Sequence, residues 1–550
     1  MVSNDLGKRL AAQWDADKVD NWKAHWQDVS ILCHPLESWI NNEKEEGQEV
    51  RQSLYNPIGE EANGVFTDGF VGSTMPKDEQ WAEFEPVSLK FKNGKEVPAS
   101  QKAKKAWQQA SERFIKILAD SNFYEAIHET VRDGGAFGNG CPGVFAGLDS
   151  RLNFMNVAPG EFRYDLDEEG RPGRIRRIFK YTAEQIKKSF DRRAKEQNGA
   201  YIGGLPEKIQ DCLKDDAPAE KRNKKWKVLE VIDENANKKE LPKSGKQSWG
   251  DRAYVGQFVV YDLKEAFFEE GYYEKPWTPW RLDKSSQEPY GRGLGMKSLP
   301  ILRKLQKMEQ EYLRMIEKAN DPGWLVHSDS DFQEDGRAGG INISDWDRAD
   351  QKPELLTMSG GYKDLELRIE KEENKVREIF YNSIFKLFLR DDVATKELKA
   401  AQVDAMMDEK LPLLVGIANR FLKECLEPLL RRAFMIAFRS GAFDDIAADL
   451  GSVNLFRLAF RSRIAMAVKA LENRGILQVV NAGLMVAQMP GAETANLKID
   501  YAGMLGRLAE NSTAPSQFIL TDEEFKVKQA ELEAKANAQQ AAEIASQVGD

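Results

Sequence analysis

Two glycine-rich segments are the first places where this 550-residue sequence could bind a phosphate. Gly291-x-Gly293-x-Gly295-Met296-Lys297-Ser298 differs by one residue from a Walker A loop. In that loop a glycine precedes the lysine, so that the backbone can wrap around the phosphates. Met296 takes the place of that glycine, and the residues just before the segment, 285–289, do not have the character of a buried strand. ATP binding at this segment is therefore rejected.

The second glycine-rich segment is Gly134–Gly140, with four glycines in seven residues. A phosphate-binding glycine loop needs a strand before it and a helix after it. Here the order is reversed, because a helical stretch precedes the glycines and a β-like run containing Val144 and Phe145 follows them. The pattern favours a turn from a helix to a strand over a ligand site.

Metal-binding patterns fail on spacing. Asp165-x-Asp167-x-Glu169-Gly170 resembles the first half of a calcium loop, but Arg176 falls where the bidentate glutamate is needed. The four histidines form no HxxxH pair, and the four cysteines show no paired spacing. We therefore expect reduced thiols in a cytoplasm-like compartment, no metal and no cofactor.

The best carboxylate pair is Asp391-Asp392, which lies in a predicted loop without a positioned partner. An enzyme such as a nuclease would need a clustered carboxylate or histidine site, and a packaging ATPase would need a Walker loop. Neither pattern is present, so we expect no catalytic residues.

Composition sets further limits. A chain of this length is too long for one core, so we expect about two to four subdomains. The net charge of −10 argues against a protein held on DNA by a broad basic face. The sequence contains no apolar run of the roughly 20 residues that span a bilayer, and its first residues lack the apolar core of a signal peptide. We expect no membrane association.

The stretch from Tyr290 to Phe388 predicts the element that organises the chain. Apolar residues recur every three or four positions from Met296 to Ala319, which predicts a long helix, and Asp321-Pro322-Gly323 ends it. About forty residues of turn and short-strand character follow, and a second helix is predicted from about Leu365 to Phe388. Two long helices joined at one end form a protruding hairpin.

The remaining segments predict an α+β protein that is mainly helical. Helices are expected at residues 5–40, 53–74, 100–118, 122–133 and 183–190, and strands near Trp81–Phe84, at 141–181 and at 228–280. A helix from about Thr395 to Arg439 should be kinked at Pro412 and disturbed at Pro428. Residues 440–510 are predicted as a smaller helical region. An Ala/Gln/Glu/Lys-rich tail follows, which should be helical only where neighbours support it.

The order of these elements resembles that of the portal (head-to-tail connector) proteins of short-tailed bacteriophages. Trp81-Ala82-Glu83-Phe84 after Thr74-Met75-Pro76, Asp133–Gly138, and Tyr290–Gly293 leading into the long helix carry the resemblance, together with the Trp-rich N-terminal helix, the Pro276–Arg281 segment and Thr395 at the start of a helix. Each motif is weak alone, and their order over nearly the whole chain is the signal.

The resemblance implies a ring, usually of twelve subunits, at one vertex of the capsid. The implied divisions are a wing (1–289), a stem helix (290–320), a clip (321–361), a second stem helix (362–388), a tunnel loop (389–399), a long kinked wing helix (400–439), a wing and crown region (440–515) and a C-terminal helical tail, which could form a barrel (516–550). The implied partners are double-stranded DNA in the channel, the terminase large subunit, a tail adaptor, and the major capsid and scaffold proteins. The implied location is the virion, with assembly in the host cytoplasm.

Charge is the property that a DNA conduit must control. Twelve copies at −10 would give a ring of about −120, which repels phosphates, so any attraction must be local. Arg390, Lys396 and Lys399 are the candidates near the implied tunnel loop, although ordinary helix-end charges would look the same. Three basic residues of the first stem helix face either the channel or a neighbouring subunit: Lys304, Lys307 and Arg314.

Three hypotheses follow for the function. The first is a non-enzymatic portal ring that passes DNA pumped by a separate ATP-driven terminase, and that serves packaging, ejection and tail docking. The second is a DNA-processing enzyme, which lacks a supporting motif. The third is another virion structural protein or a scaffold, but a scaffold should be more uniformly helical than this chain, whose Gly/Pro-rich β stretches lie at 134–180 and 250–290.

Overall fold

The chain folds as a mixture of helix and sheet in which helix predominates, as predicted. The computed structural model describes residues 2–17, 19–37, 40, 54–86, 89–90, 96–97, 101–147, 151–196, 198–240, 247–286, 288–320, 324–325, 354–355, 362–389, 412–450, 456–461, 476–481, 504 and 528. The strands within these ranges form one six-stranded sheet and several two-stranded ones, and they do not close into a barrel.

The helices are α1 (Val2–Ala16), α2 (Asp20–Cys33), α3 (Ile58–Thr74), α4 (Gln101–Ala119), α5 (Phe123–Phe137), α6 (Ala183–Lys195), α7 (Glu207–Cys212), α8 (Ala219–Arg222), α9 (Leu294–Asn320), α10 (Tyr362–Ile379), α11 (Asn382–Leu389), α12 (Pro412–Arg420), α13 (Glu427–Arg439) and α14 (Ala447–Leu450). Short 3-10 turns cover Pro35–Glu37 and Trp249–Asp251, and a π-helical segment, Phe421–Leu426, joins α12 to α13.

The strands are β1 (Ala82–Pro86), β2 (Leu89–Lys90), β3 (Glu96–Val97), β4 (Asn139–Gly140), β5 (Pro142–Ala146), β6 (Leu152–Asn156), β7 (Phe162–Leu166), β8 (Pro172–Thr182), β9 (Gly199–Tyr201), β10 (Lys225–Glu234), β11 (Tyr254–Val260), β12 (Glu265–Tyr272), β13 (Trp280–Arg281), β14 (Trp324–Leu325), β15 (Glu354–Leu355) and β16 (Phe456–Phe460). The large antiparallel sheet has the order β7-β8-β10-β11-β12-β9.

Apolar side chains cover both faces of this sheet. Alternate residues of a strand point to opposite faces, so Val228 packs into one cluster while Leu229, the next residue, packs into another. Helix α6 covers the first face through Phe190, and α1 covers the second through Leu10 and Trp14. Burial on both faces explains the continuous apolar runs that predicted sheet core at 258–261 and 267–268.

The largest core lies beside this sheet and joins most of the long helices. It combines α2, α3, α5, the first half of α9, α11 and the α12–α13 region. Tightly packed aromatic rings fill it, including Phe66 against Phe385 at 5.8 Å between ring centroids and Phe84 against Phe434 at 4.5 Å. This core is the body from which the hairpin emerges.

The prediction of a helical region at 440–510 is wrong at residues 456–460. Phe456–Phe460 forms strand β16, which pairs antiparallel with β1 and places Leu458 opposite Phe84. Phe456 and Leu458 are buried and Arg457 is exposed between them, which is the two-residue period of a strand with one buried face. Pairing with a strand about 370 residues earlier in the chain decides the conformation of this short segment.

The two glycine-rich segments of the sequence analysis pack against each other. Gly138 has a φ of +82° and ends α5, as the helix-to-strand prediction requires. A Cβ atom on Gly293 would overlap the Ala136 carbonyl oxygen, and one on Gly138 would overlap the backbone of Arg292. Asn139 fixes the contact, because its Oδ1 accepts from the Gly291 N–H at 2.8 Å and its Nδ2 donates to the Gly291 carbonyl at 3.2 Å. The glycines therefore bring backbone against backbone where α9 begins.

We predict that Gly293→Ala destabilises the protein by about 1–3 kcal/mol or more, because the neighbouring atoms are backbone and cannot rotate away. Gly416→Ala is the matched control: it is a helical glycine with no atom within 4 Å of an added Cβ. That control should gain up to about 1 kcal/mol from helix propensity. Denaturant unfolding at one fixed protein concentration measures both variants, and equal stabilities would contradict this account of the glycines.

Candidate functional site: a helical hairpin and its anchors

Helix α9 begins inside the core and ends outside it. Its predicted apolar stripe is buried at Met296, Leu299, Leu302 and Leu305 and only half-buried at Met308, Tyr312 and Met315. Leu313, in the second half, is 47% exposed. The described bounds, Leu294–Asn320, agree with the predicted helix to within two residues at either end.

Helix α10 runs back along α9 and completes the hairpin. Strand β14 follows α9, strand β15 precedes α10, and the two strands pair antiparallel beyond the helices. Ile369 and Val376 are buried on the inner side of α10, whereas Leu367 is 62% exposed. Both helices therefore have an outer surface that the rest of the described chain leaves uncovered.

Asn56 connects both helices of the hairpin to the body. It is 3% exposed, and its Nδ2 donates to Glu309 of α9 at 3.1 Å and to Glu373 of α10 at 2.9 Å. Its Oδ1 accepts from the Ile58 N–H at 3.0 Å, at the start of α3. Gln306 adds to the anchor, accepting from the Asn56 N–H and donating to the Asn56 carbonyl at 2.7 Å. One buried amide thus fixes the position of both helices on α3.

The three basic residues of α9 that the sequence analysis selected differ in their partners. Lys304 forms an ion pair with Glu372 of α10 at 2.7 Å, within the same hairpin. Arg314 pairs with Glu311 on α9 at 3.0 Å, and Lys307 is exposed. Hydrogen bonds from Lys304 and then Lys375 hold the pKa of Glu372 below its usual value. Part of the positive charge of α9 is therefore neutralised by carboxylates of its own chain.

The prediction of one continuous helix from about Leu365 to Phe388 is wrong at Tyr381. That residue has a φ of +57°, which separates α10 from α11. The left-handed conformation is costly for a bulky side chain and is kept only where packing compensates. Here the turn directs Phe385 onto α3, where its ring contacts Phe66 and lies so close to Gly69 that any larger residue would collide with it. The break thus ends the protruding helix and returns the chain to the core.

The other predicted site residues lie outside the described ranges. Arg390, Lys396 and Lys399, the tunnel-loop candidates, are in this group, as are Asp391 and Asp392. Most of the segment between α9 and α10 is outside them too, apart from β14 and β15.

Buried arginine side chains attach the helical region 412–439 to the short strands β5 and β13 and to the segment between β12 and β13. Arg281, 2% exposed, donates to Glu424 at 2.7 Å and to the Gly170 carbonyl at 2.8 Å. Arg432, also buried, donates to the Val144 carbonyl at 2.9 Å and to the Glu274 carbonyl at 2.6 Å. These charges hold α12 and α13 against β5, β13 and the 274–279 segment.

Glu424 lies in the π-helical segment, which forms just before Pro428. Proline has no N–H and cannot donate to the carbonyl four residues earlier. The Glu427 N–H donates instead to Leu422, five residues earlier, so that the helix widens where the sequence predicted a disturbance.

A cleft of about 1640 Å³ opens beside this segment, lined by both acidic and basic side chains. Burial lowers the pKa of Lys275 in its wall to about 8.

Sequence reasoning missed the anchors. Asn56, Gln306 and Glu424 belong to no motif, and Arg281 entered the sequence analysis only as the end of the Pro276–Arg281 segment. The partners of these residues are 143 to 317 residues away along the chain. Only Pro428 gave a local signal, for the irregular helix.

Among the described residues, no group of three His, Cys, Asp or Glu side chains is placed to hold a metal. None of the helices in the described ranges is long and apolar enough to cross a membrane.

Known proteins are similar to this chain over most or all of its length. The family described as "Bacteriophage head to tail connecting protein" matches residues 8–520, which include the hairpin. The probable portal protein of Bordetella phage BPP-1 is 21% identical over 584 aligned residues, covering 100% of this chain and 96% of that protein. The portal protein of Salmonella phage epsilon15 is 20% identical over 532 residues, covering 95% and 90% respectively.

We predict that Asn56→Ala destabilises the protein by about 2–4 kcal/mol, since it leaves Glu309 and Glu373 without a buried hydrogen-bond donor. Asn419→Ala, the same substitution at an exposed position of α12, should change stability by less than about 0.5 kcal/mol. Denaturant unfolding with equal protein concentrations compares them, and limited proteolysis should show faster cleavage within residues 290–388 of Asn56→Ala. An anchor role for Asn56 is refuted if the two variants behave alike.

Proposed function

The chain belongs to the bacteriophage head to tail connecting proteins, and on that premise we propose that identical copies close into a portal ring at one capsid vertex. Membership confirms the predicted family and a structural rather than an enzymatic role. The observation that carries the ring proposal is the hairpin, whose distal half leaves the core with apolar side chains exposed. A ring of identical copies can cover such surfaces without any other protein.

In this proposal each segment has a distinct position around the channel. Residues 1–289 are the wing, residues 290–320 and 362–388 are the stem that surrounds the DNA, and residues 321–361 are the clip at the outer end. Residues 389–399 are the tunnel loop, 400–439 the long wing helix and 440–515 the wing and crown. Residues 516–550 form a helical tail. Within the second stem segment only α10 protrudes, because the chain re-enters the core immediately after the break at Tyr381.

The partners follow from the same proposal. Double-stranded DNA passes through the channel during packaging and ejection, the terminase large subunit and a tail adaptor dock at the clip end, and the capsid and scaffold proteins surround the wing. Twelve subunits are proposed, in the virion and earlier in the host cytoplasm during assembly. The rival proposal of a scaffold is disfavoured by the six-stranded sheet covered on both faces, and a DNA-processing enzyme by the family.

We expect the purified protein to form rings with a central hole, because closure buries the outer surfaces of α9 and α10. Negative-stain microscopy and native mass measurement give the shape and the subunit number. An ATP hydrolysis assay on the same sample should give no rate above that of a blank. Uniform monomers at micromolar concentrations, with or without ATPase activity, would overturn the ring.

The charged residues proposed for the tunnel loop need a separate test. Replacing Arg390, Lys396 and Lys399 with alanine together should leave rings intact and reduce the number of DNA-filled heads in a complementation assay, because local attraction to the DNA backbone is lost. Replacing Lys187, Lys188 and Lys208, which are exposed on α6 and α7, removes the same charge far from the hairpin. If both triple variants fill heads equally, the three residues have no role in DNA transit.

A further inference from the structure

Leu313 and Leu367 are the large apolar side chains that the hairpin leaves exposed among its described residues, at 47% and 62%. A single exposed leucine on a protein surface is ordinary. Here one exposed leucine lies on each helix of the same protruding hairpin. Their positions along the hairpin, and the directions in which they point, decide whether one partner surface can cover both. Both properties can be obtained from contacts between the helices.

The two leucines lie at similar heights on the hairpin. Lys304 is level with Glu372, to which it donates, and Asn56 contacts both Glu309 and Glu373. Leu313 is nine residues tipward of Lys304 and Leu367 is five residues tipward of Glu372, so the first pair places Leu313 four residues nearer the tip than Leu367. Leu313 is four residues tipward of Glu309 and Leu367 is six residues tipward of Glu373, so the second pair places Leu313 two residues nearer the base. At 1.5 Å per residue these counts place the two side chains within about 6 Å in height.

The two leucines also point away from the interior of the hairpin. Successive residues of an α-helix are rotated by about 100°, so Leu367 lies about 180° around α10 from the fully buried Val376. Leu313 lies about 180° around α9 from Lys304, whose side chain reaches α10. The hairpin therefore has one exposed leucine on the outer side of each helix.

The outer surfaces of the two helices differ in charge. Exposed positions of α9 carry more basic than acidic side chains, and those of α10 carry more acidic than basic ones. Apart from Lys304 and Lys375, which both bind Glu372 within the hairpin, the α9 residues are Lys297, Arg303, Lys307, Arg314 and Lys318, with Glu311 and Glu317; the α10 residues are Asp364, Glu366, Glu370 and Glu378, with Arg368 and Lys371. The surface of α9 thus complements the surface of α10 better than it complements itself.

We propose that Leu313 of one copy packs against Leu367 of the next copy, so that α9 meets α10 at every subunit boundary of the stem. This inference rests on the proposed ring. A ring is built from heterologous contacts, in which one surface of a subunit meets a different surface of its neighbour. Similar height lets the contact repeat around an axis without a rise, and the opposite charge balance disfavours pairing of like helices.

Crosslinking between introduced cysteines tests this contact. The four native cysteines, Cys33, Cys141, Cys212 and Cys425, are buried and should not react with bismaleimidoethane in the folded protein. Assembled Leu313→Cys/Leu367→Cys protein should give a ladder of covalent multimers, up to the full ring, on a denaturing gel. Either single variant alone should give monomers, and a co-assembled mixture of the two single variants should give nothing larger than dimers.

A matched control fixes the register. Asn374 is exposed on the same side of α10 as Leu367, seven residues or about 10 Å nearer the base. Leu313→Cys/Asn374→Cys should therefore remain monomeric on the gel. Dimers from a single variant would mean that like helices meet, and that result overturns the contact.

The outcome separates the contact from the ring itself. Rings visible by microscopy without a ladder from Leu313→Cys/Leu367→Cys would refute the contact and leave the proposed function standing. Absence of rings from the unmodified protein would refute both. If the cysteine variants assemble poorly, a charge exchange replaces them: Leu313→Lys and Leu367→Glu should each reduce the fraction of protein in rings, and the double variant should restore part of it.

Discussion

The contact between two backbones, at Gly138 and at Gly291–Gly293, is the constraint on which the hairpin depends. Helix α5 ends and helix α9 begins at this point, and no side chain separates them. The backbones at Gly138 and Gly293 lie too close together for either residue to carry a Cβ atom. The end of α5 therefore fixes the position at which α9 begins and the direction in which it leaves the body. Asn139 supplies the polar contacts that a crossing of two backbones requires, because buried N–H and C=O groups need partners.

The parts of the fold that could be predicted from sequence are those with a local period. Spacing of three and four residues located α9 within two residues at each end, and the apolar runs near 258 and 267 located strands buried on both faces. The break at Tyr381 was missed because apolar residues continue at helical spacing across it, through Val376, Phe380 and Ile384. No local rule distinguishes that stretch from one continuous helix, and the turn is decided by the packing of Phe385 on α3.

The anchors of the hairpin were missed for a related reason. Asn56 and Glu424 are ordinary polar residues in sequence, and their importance comes from partners far along the chain that folding brings into contact. A buried arginine or glutamate is costly unless it is paired, so Arg281 and Glu424 depend on each other. Such pairs favour the one arrangement of helices and strands in which both charges are paired, because any other arrangement would bury an unpaired charge. Composition and periodicity cannot reveal which residues will pair.

The hairpin also bears on how a protein of net charge −10 could conduct DNA. Several basic residues of α9 are already engaged within the chain: Lys304 with Glu372, Arg303 with Asp28 and Arg314 with Glu311. An engaged cation attracts a passing phosphate less than a free one, because the neighbouring carboxylate repels it. In the proposed ring, a stem of this kind would hold DNA weakly along its length, which suits a polymer that must keep moving. In that ring, strong attraction would have to come from residues without such carboxylate partners.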